Sequence, residues 1–320
     1  MRAVRFHQTG DPEVLRVEDV PLPEPGAGEI RVRVRHAGVN FIDTYLRTGS
    51  YPGPLPATAG KEGAGHVDAV GSGVRDLASG DRVAFFDAQG AYAEAVVIPA
   101  ARAIRVPLDL DDRQAAALPL QGMTARYLTH EIRPLGEGDT VLIHAAAGGV
   151  GHLAVQMAKL AGAVVLATCS TEEKASRASD LGADHVIRYD RVDFADEILK
   201  ITGGHGVDVA IDGVGRATFV DTVRATRIRG HVIFFGQSSG PPDPVQPRKL
   251  LGSRTLTTAS LFDYTRTRAD LMALSEPVMA WAAAGSLTAS IDRVLPLEEA
   301  ARAHELLEGR HTMGKILLEP

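Results

Sequence analysis

The residues best suited to hold a ligand form a turn of alanine and glycine at positions 145–149. A short apolar run at 140–144 precedes this turn, and apolar residues at helical spacing follow it from Val150 onward. A strand, a turn of small residues and a helix open the dinucleotide-binding unit, in which glycines let the backbone approach a pyrophosphate and the helix supplies N–H groups. The spacing Ala146-x-Gly148-x-x-Gly151 has alanine where the usual fingerprint has its first glycine. It therefore indicates a nucleotide site only together with the alternating strands and helices that follow.

The end of the next predicted strand, at 164–168, indicates which nicotinamide nucleotide would bind. NAD-preferring sites place Asp or Glu there to grip the ribose hydroxyls, and this chain has no acid between 164 and 171. The neutral hydroxyl of Ser170, followed one helical turn later by Lys174, suits a 2′-phosphate, and the missing acid removes a repulsion. The pattern therefore favours NADPH. Lys174 could instead be a solvated helix residue, and Arg177 a second phosphate contact or a surface residue.

Strands alternate with helices over about 120 residues after position 118, which predicts a doubly wound parallel sheet. After the strands at 140–144 and 164–168, further strands are predicted at 185–187, 207–212 and 231–236. The stretch 255–261 is the predicted sixth strand. It is rich in β-branched residues and has no charge, so an open edge there would be an aggregation liability.

Residues 1 to about 120 are rich in predicted strands and loops. The clearest strand is 29–35, where apolar and charged residues alternate, so that one face is buried and the other is solvated. This part of the chain predicts a small twisted domain that resembles a β-barrel. The C-terminal part returns to a helix at about 269–284, a strand at about 288–294, a helix at 297–308 and a strand at 314–318. We expect these elements to pack back on the N-terminal domain.

Length and composition narrow the class of protein. At 320 residues two domains are expected, and a net charge of −6 without a basic block gives no indication of a nucleic-acid surface. The single cysteine, Cys169, excludes a disulfide framework and a cysteine-based zinc cluster. No apolar run reaches membrane-spanning length, and the N-terminus lacks a signal-peptide core. We therefore predict a soluble cytoplasmic protein.

Four separated segments, taken in order, resemble the zinc-free quinone oxidoreductase branch of the medium-chain dehydrogenase/reductase superfamily, the relatives of zeta-crystallin. These segments are residues 38–43, 60–65, 145–151 and 235–240, and the similarity extends over essentially the whole chain. It implies an α/β fold in which a GroES-like β-barrel catalytic domain (1–122, completed by 265–320) is combined with a Rossmann doubly wound parallel-sheet domain (123–264). It also implies an NADPH-dependent quinone reductase that forms a homodimer through the edge strand at 255–261.

The resemblance further implies roles for individual residues. The candidate catalytic residues near the nicotinamide are Asn40, Tyr45, Tyr51 and Thr124. The candidate cofactor-binding residues are Phe41, Ile42, Asp43, Thr44, Gly148, Gly149, Val150, Gly151, Ser170, Lys174, Tyr189, Phe235, Gly236, Gln237, Ser238, Ser260, Leu261 and Arg310. Among these, Ser170, Lys174 and Tyr189 match the family positions that hold the 2′-phosphate. A buried tyrosine is often only packed with its hydroxyl satisfied, and Arg310 could simply complement a helix dipole.

The resemblance also bears on metal binding. Zinc-dependent relatives carry Cys at the position of Asn40 and a His-Glu pair at the positions of Lys61 and Glu62. A catalytic zinc needs three protein ligands and an open fourth position, and both the thiolate and the imidazole are missing here. The eleven histidines also lack the spacing of paired metal ligands. We predict no metal site, and we expect Lys61 to form an ion pair with Asp43 or Glu62.

The predicted reaction requires little acid–base chemistry from the protein. A quinone is already electrophilic, so the protein has to orient it and exclude water, while the cofactor carries the hydride. Asn40 and Thr124 could hydrogen-bond the carboxamide or a carbonyl oxygen, and Tyr45 or Tyr51 could stack or donate a proton.

Two alternative functions stay open. One is an NADPH-dependent reductase of activated alkenes, either enones or 2-enoyl thioesters, because these are conjugated carbonyls like a quinone. The other is a non-catalytic NADPH-binding or RNA-binding protein of the crystallin type. The acidic charge balance and the absence of an aromatic-basic stripe argue against RNA.

Overall fold

A computed structural model describes the whole chain, residues 1–320, as two compact units. The first unit comprises Met1–Met123 and Thr265–Pro320, and the second comprises Thr124–Tyr264. In chain order the strands are β1 Arg2–Phe6, β2 Arg16–Asp19, β3 Glu29–Gly38, β4 Ala57–Thr58, β5 Glu62–Val70, β6 Arg82–Phe86, β7 Ala95–Pro99, β8 Ala103–Arg105, β9 Thr140–Ile143, β10 Val164–Cys169, β11 His185–Arg188, β12 Val207–Asp212, β13 Thr226–Phe234, β14 Thr255–Thr258, β15 Ile291–Pro296 and β16 Lys315–Glu319. The helices are α1 Phe41–Thr48, α2 Asp112–Ala117, α3 Pro119–His130, α4 Gly151–Leu160, α5 Glu172–Asp180, α6 Phe194–Ile201, α7 Phe219–Ala225, α8 Pro247–Leu251, α9 Arg268–Ala283 and α10 Ala300–Glu308. None of these helices combines the length and the apolar character that crossing a bilayer requires.

The second unit is built on a six-stranded sheet whose neighbouring strands all pair in parallel. Its strand order is β11-β10-β9-β12-β13-β14. Strands β9, β10 and β12 are almost entirely buried, as expected for short apolar runs covered on both faces by helices. This is the doubly wound Rossmann arrangement, which confirms the predicted α/β fold class. The strand order reverses between β9 and β12, and in such sheets the carboxyl ends of the strands at this point form the ligand crevice.

The first unit contains a seven-stranded sheet in the order β15-β16-β3-β5-β6-β8, with β7 also paired to β3. A three-stranded sheet, β2-β1-β4, completes its strands. The C-terminal strand β16 runs antiparallel to β3, with Leu317 opposite Gly38 and Leu318 opposite Ala37. The end of the chain therefore lies beside the residues that lead into α1. One cluster of buried apolar side chains, which includes Ile30 and Phe85, forms the core of this unit.

Several elements differ from the sequence-based prediction: helix α8 was not predicted, β15 and α10 begin about three residues later than expected, and three further differences have local causes or signals. Strand β14 ends at Thr258 rather than at 261, because the chain then turns with the N–H of Asp263 bonded to the carbonyl of Ser260. Strand β13 begins at Thr226 rather than at 231, and its early part contains Arg229 at a φ of 65°. Helix α2 was not predicted at all, although its N-cap is a regular signal. The Asp111 side chain accepts from the two N–H groups at its start, each at 2.9 Å.

Candidate functional site

The predicted catalytic segment begins where β3 ends and α1 starts. Asn40 is the N-cap of α1 in an extended conformation, and its backbone N–H donates to Oδ2 of Asp43 at 2.9 Å. This is the return bond of a capping box, in which the third helical residue satisfies the N–H of the cap. Both residues are 3% exposed. A sequence of polar cap followed by an acid three residues later therefore fixes α1 and buries two predicted site residues together.

Asn40 belongs to a buried cluster with Glu62 and Lys315, which we call the Asn40 triad. The Lys315 ammonium donates to Oδ1 of Asn40 at 2.7 Å and to Oε2 of Glu62. Nδ2 of Asn40 donates to the same Oε2 at 2.8 Å and to the carbonyl of Gly38 at 3.1 Å. The side chains of Glu62 and Lys315 are both 0% exposed. A buried ion pair is tolerated when other hydrogen bonds satisfy it, and here Asn40 and the N–H of Leu120 supply them.

Gly38 provides the space that the Asn40 triad occupies. It pairs with Glu62 of β5 on one side and with Leu317 of β16 on the other, so three strands meet at this residue. A Cβ at position 38 would lie 2.5 Å from Oε2 of Glu62 and 2.7 Å from Cε of Lys315. Only glycine leaves both side chains where they are.

The expected ion pair of Lys61 with Asp43 or Glu62 is wrong. Nζ of Lys61 lies 3.2 Å from Oδ1 of Asp87, and the partner of Glu62 is Lys315. Consecutive residues of an extended chain point to opposite sides, so Lys61 and its neighbour face different surroundings. Lys315 had no motif around it in the sequence, and only the pairing of β16 with β3 brings it to Glu62.

A second buried network leads away from Asp43. Oδ2 of Asp43 accepts from the Tyr92 hydroxyl at 2.9 Å, and that hydroxyl lies 3.3 Å from Nε2 of His304. Nδ1 of His304 lies 3.4 Å from a guanidinium nitrogen of Arg47, which also holds the Glu308 carboxylate at 2.8 and 2.9 Å. Because arginine can only donate, the neutral His304 ring carries its hydrogen on Nε2 and donates it to Tyr92.

Burial shifts the pKa values along this network. The buried position of Asp43 raises the pKa of its carboxyl from 3.8 to about 7, although Tyr92 and the N–H of Asn40 oppose the shift. Burial, with a smaller contribution from the Arg47 charge, lowers the pKa of His304 to about 3. Oδ1 of Asp43 is buried and has no hydrogen-bond partner. A carboxyl with one oxygen saturated by donors and the other bare is suited to carrying a proton near neutral pH.

The remaining predicted residues of the first unit lie on α1 and shortly after it. The rings of Tyr45 and Tyr51 are 5.3 Å apart, and those of Phe41 and Tyr45 are 6.3 Å apart. Tyr51 is 43% exposed, whereas burial raises the pKa of Tyr45. The Thr44 hydroxyl donates to the carbonyl of Phe41, and Ile42 lies between them on the same helix. These residues form one aromatic surface with an exposed edge, which suits stacking more than acid catalysis.

Arg310 lies just beyond α10, in the left-handed conformation with a φ of 58°. Its N–H donates to the carbonyl of Leu307 at 3.2 Å, so its backbone completes the end of the helix. The ion pair between Arg47 and Glu308 ties this end of α10 to α1. Arg310 thus belongs to the same unit as Asn40 and Tyr45, on a segment anchored to their helix.

The glycine turn of the second unit lies at the carboxyl end of β9, as predicted. Ala145 takes a φ of 49°, and the N–H of Gly148 donates back to its carbonyl at 2.8 Å. A Cβ on Gly151 would lie 2.3 Å from that carbonyl oxygen, whereas one on Gly148 would lie 3.0 Å from it. Glycine at 151 therefore lets α4 begin directly against the turn. Val150 precedes the helix and provides no side-chain cap. The N–H of His152, in the first turn of α4, donates to the carbonyl of Gly148 at 3.0 Å.

A buried polar network under this turn was missed at the sequence level. His144 lies 2.8 Å from the Thr168 hydroxyl and 2.9 Å from the Thr222 hydroxyl through its two ring nitrogens. Thr222 in turn donates to Oδ2 of Asp212 at 2.8 Å. His144 follows β9, Thr168 lies in β10, Asp212 ends β12 and Thr222 lies on α7, so the network ties these three strand ends to one helix. The signal was present, because each strand ends in a polar residue after an apolar run.

The predicted phosphate-binding residues gather at the end of β10. Ser170 follows the strand directly, and the N–H of Tyr189 donates to the carbonyl of Cys169 at 3.2 Å. Lys174 lies in the first turn of α5, where its N–H donates to the Thr171 hydroxyl. Two acids of this region, Glu172 and Asp190, both form salt bridges with Arg188, at 2.8 and 2.6 Å. No acid occupies the position that would hold ribose hydroxyls.

The other predicted cofactor contacts follow β13 and β14. Beyond β13 the N–H of Phe235 donates to the carbonyl of Asp212, and that of Ser238 donates to the carbonyl of Gly213. The loop 235–238, which includes Gly236 and Gln237, is thus fastened to the carboxyl end of β12. Ser260 and Leu261 lie in the turn after β14 rather than within it, with Ser260 exposed and Leu261 buried. Thr124 is buried within α3, at 6% exposure, at the start of the second unit.

The Asn40 triad does not suit a zinc ion. An amide replaces the thiolate, Lys61 replaces the imidazole and pairs with Asp87, and the Glu62 carboxylate is already bonded to the Lys315 ammonium. A buried cation at this position repels a second one. No group of three or more His, Cys, Asp or Glu side chains in the structure could hold a metal ion.

Comparison with known proteins places these features in context. The model of the alcohol dehydrogenase GroES-like domain matches residues 26–108, and that of the zinc-binding dehydrogenase family matches residues 149–276. A 2-haloacrylate reductase from a Burkholderia species is 42% identical over 99% of this chain and 98% of its own. A quinone oxidoreductase from Pseudomonas aeruginosa is 40% identical over 100% of this chain and 99% of its own. The crystal structure of Escherichia coli quinone oxidoreductase complexed with NADPH has 39% identity and a TM-score of 0.97, with both chains covered completely.

Proposed function

Because the chain belongs to the quinone oxidoreductase branch of the medium-chain dehydrogenase/reductase superfamily, we propose that it reduces a quinone with NADPH. The observation that carries this proposal is the end of β10, which has Ser170 and no acid at the position of the ribose hydroxyls, with Lys174 in the next helix and Tyr189 at the end of the neighbouring strand. A hydroxyl, an ammonium and a phenol are groups that a 2′-phosphate accepts hydrogen bonds from. When bound, NADPH supplies the hydride.

We assign different roles in this reaction to the two units. In the second unit, the turn that contains Gly148 and Gly151 and the uncapped start of α4 provide N–H groups for a pyrophosphate. The loop 235–238 lies at the same edge of the sheet, at the carboxyl end of the neighbouring strand. In the first unit, α1 and Tyr51 provide an aromatic surface for stacking. Thr124 and Asn40 are the candidate hydrogen-bonding groups for the carboxamide.

The Asn40 triad favours an acceptor that is already electrophilic. The Glu62 and Lys315 charges neutralise each other inside the first unit, so neither is offered to polarise an isolated carbonyl. A quinone needs no such activation, because hydride addition restores an aromatic ring. Reduction to the hydroquinone takes up one hydride and one proton. Stacking, orientation and exclusion of water are then the main contributions of the protein.

A second candidate function is reduction of an activated alkene. It is favoured by the 42% identity with a 2-haloacrylate reductase over 99% of this chain. An alkene conjugated to a carboxylate or carbonyl accepts hydride at its β-carbon, as a quinone does at a ring position. Both reactions would use the same cofactor site, so only a comparison of substrates can distinguish the two proposed functions.

The deciding experiment follows the loss of NADPH absorbance with 1,4-benzoquinone, an enone, 2-chloroacrylate and crotonyl thioester, with chelator present throughout. NADH is run in parallel. We expect rapid, NADPH-specific oxidation by the quinone. Turnover of an alkene without turnover of the quinone would transfer the protein to the second candidate function. Binding of NADPH without any turnover would instead favour a non-catalytic protein, and an RNA gel shift lost on adding NADPH would support that reading.

The cofactor assignment has its own test in Lys174→Ala. We expect the Michaelis constant for NADPH to rise roughly tenfold, since one charge-assisted hydrogen bond is lost, and that for NADH to stay unchanged. Lys159→Ala is the matched control, because Lys159 lies on α4 of the same unit and pairs with Asp184 at 2.8 Å. An NADPH constant equally affected by both substitutions would contradict the phosphate assignment.

We further propose a cytoplasmic homodimer that pairs through β14. This strand is the edge of the six-stranded sheet and carries only Thr and Leu, without the charges that usually protect an edge. Light scattering at micromolar concentration should give twice the chain mass. Thr255→Lys, at an exposed position of β14, should give a monomer of unchanged fold. A monomeric wild-type protein would refute the proposed interface.

A further inference from the structure

A groove lies between the three-stranded sheet of the first unit and β7, and its lining includes none of the residues that we assign to the cofactor or the quinone. Its volume is about 530 Å³, which lies within the range of sites for small organic ligands. The lining contains four prolines, Pro21, Pro23, Pro54 and Pro56. All of them except Pro23 are exposed, so the groove is open to solvent. We call this feature the proline groove.

Strand β7 gives the proline groove an apolar wall. Val97 lines the groove and is half-buried, whereas its neighbours Val96 and Ile98 are 3% and 0% exposed and belong to the core of the unit. Successive residues of a strand point to opposite faces, so the Val97 side chain points away from the core. The groove therefore holds an apolar side chain that the core does not cover.

Two charged groups line the proline groove, and both already have partners. The terminal ammonium of Met1 donates to the carbonyl of Val20 at 2.8 Å. The guanidinium of Arg5 lies 3.4 Å from the Glu18 carboxylate. A charged ligand would have to compete with these contacts, whereas an uncharged one leaves them in place. The charges of the groove therefore favour an uncharged ligand.

The composition of the lining also argues against a peptide. Proline has no backbone N–H, so the proline walls offer poor partners to a peptide that adds as a strand through main-chain hydrogen bonds. A proline-rich peptide docks on aromatic side chains, and no aromatic residue lines this groove. A hydrocarbon chain needs neither donors nor aromatic rings. It gains from covering the apolar wall.

The proline groove begins where the loop after α1 leaves that helix. A Cβ on Gly53 would lie 3.7 Å from Cδ2 of Leu46, so residue 53 is still against α1, and the next residue, Pro54, lines the groove. Tyr51, whose ring lies 5.3 Å from that of Tyr45, precedes Pro54 by three residues. Their Cα atoms are therefore at most about 11 Å apart. A tail of two isoprene units on a ring stacked at Tyr51 can bridge this distance.

We propose that the proline groove binds the isoprenoid tail of a lipid-soluble quinone whose ring stacks on Tyr45 and Tyr51. This inference rests on the proposed function and names the substrate class of that site. The ring accepts the hydride, and the tail takes no part in the chemistry. Binding of the tail orients the ring and contributes affinity from a part of the substrate that does not react.

The test compares ubiquinone-0, ubiquinone-1 and ubiquinone-2, which share one head group and carry no, one and two isoprene units. Their dissociation constants are measured by equilibrium dialysis with NADP⁺ present, so that no hydride is available and binding is separated from turnover. Each step adds five carbons to a groove that is open on one side. We therefore expect the dissociation constant to fall roughly tenfold at each step.

Three variants assign this gain in affinity to the proline groove. Val97→Gln makes the apolar wall polar and should reduce the gain to less than about threefold at each step, while the affinity for ubiquinone-0 stays unchanged. Pro54→Gln changes an exposed position of the loop wall and should also reduce the gain. Val70→Gln is the matched control, because Val70 is a 37% exposed valine at the end of β5, in the same unit but outside the groove. It should keep the full gain.

The outcomes separate this inference from the proposed function. Equal wild-type affinities for the three ubiquinones would overturn the inference, whether or not the protein oxidises NADPH with benzoquinone. A gain that persists in both groove variants would also overturn it, because the tail would then bind elsewhere. A gain that is lost in both groove variants and kept in Val70→Gln would support it, even if no quinone were reduced. Circular dichroism spectra of each variant check that the fold is retained.

Discussion

The buried carboxyl of Asp43 predicts an unusual dependence of stability on pH. Its pKa is raised from 3.8 to about 7 in the folded protein, chiefly by burial. A raised pKa means that the folded state favours the protonated form, so stability is highest at low pH and falls as the pH rises toward 7. Applying the linkage relation to these two pKa values gives a loss of about 2–3 kcal/mol between pH 5 and pH 8. The loss should level off above pH 8, where the folded state is also ionised.

The assay is urea unfolding at pH 5, 6, 7 and 8, followed by the fluorescence of Trp281. This is the single tryptophan of the chain and lies on α9 of the first unit, the unit that contains Asp43. The Asp43→Asn variant has no ionisable group at this position. The free energy of unfolding of the wild type minus that of the variant should therefore fall between pH 5 and pH 8 by the amount given above. Comparing the two proteins at each pH cancels the titration of all other groups.

Asp270→Asn is the matched control for this experiment. Asp270 closes the capping box of α9 at the same helical position that Asp43 has in α1. It is exposed, and its hydrogen bonds with Thr267 lower its pKa, so its effect on stability should be constant between pH 5 and pH 8. A wild-type-minus-variant difference for Asp43→Asn that is equally flat would refute the reasoning, because Asp43 would then titrate below pH 5.

Three further predictions concern the networks around the site. Tyr92→Phe removes a donor that lowers the pKa of Asp43, so the pH at which the first unit loses stability should move upward in the same urea experiment; an unchanged midpoint would contradict the assigned bond. Gly38→Ala should lower the free energy of unfolding by about 1–3 kcal/mol, as overpacking does, because its Cβ meets the Lys315–Glu62 pair; an unaltered urea midpoint would show that the pair has room to move. Gly151→Ala should weaken NADPH binding more than Gly148→Ala does, because its Cβ comes 2.3 Å rather than 3.0 Å from the carbonyl of Ala145; titration of both variants tests the order.

Local patterns predicted most of the fold. The apolar run that became β9 and the small-residue turn after it lie where the sequence indicated, and the alternation of strands and helices gave the parallel sheet. These features depend on residues close together in the chain. The predicted end of β14 lies three residues too late, because residues 259–261 are uncharged like the strand before them. In the structure the chain turns at Ser260. Helix α2 was overlooked although Asp111 marks its start.

Local patterns predicted less of the candidate site than of the fold. Asn40 and Asp43 stood out because they begin a helix within a family motif, but the groups that decide their chemistry lie far away in sequence. Tyr92, His304 and Lys315 reach them only through the folded sheet. An isolated lysine near the end of a chain is usually a surface residue, and nothing in its neighbours indicated burial beside a glutamate. The predicted ion pair of Lys61 was wrong for the same reason, because the acid nearest to it in sequence is not the acid that it contacts in the structure.

The position of Lys315 also gives the C-terminal segment a chemical role. Strand β16 pairs with β3 opposite Gly38 and Ala37, and the residue at its start delivers the ammonium that orients Asn40. An N-terminal domain that ended near residue 122 would have Asn40 and Glu62 but no cation to pair with them. The uncompensated carboxylate would then be costly to bury, by several kcal/mol, and the amide of Asn40 would lose its fixed orientation. The return of the chain to the first unit is therefore needed for the chemistry of the Asn40 triad as well as for the sheet.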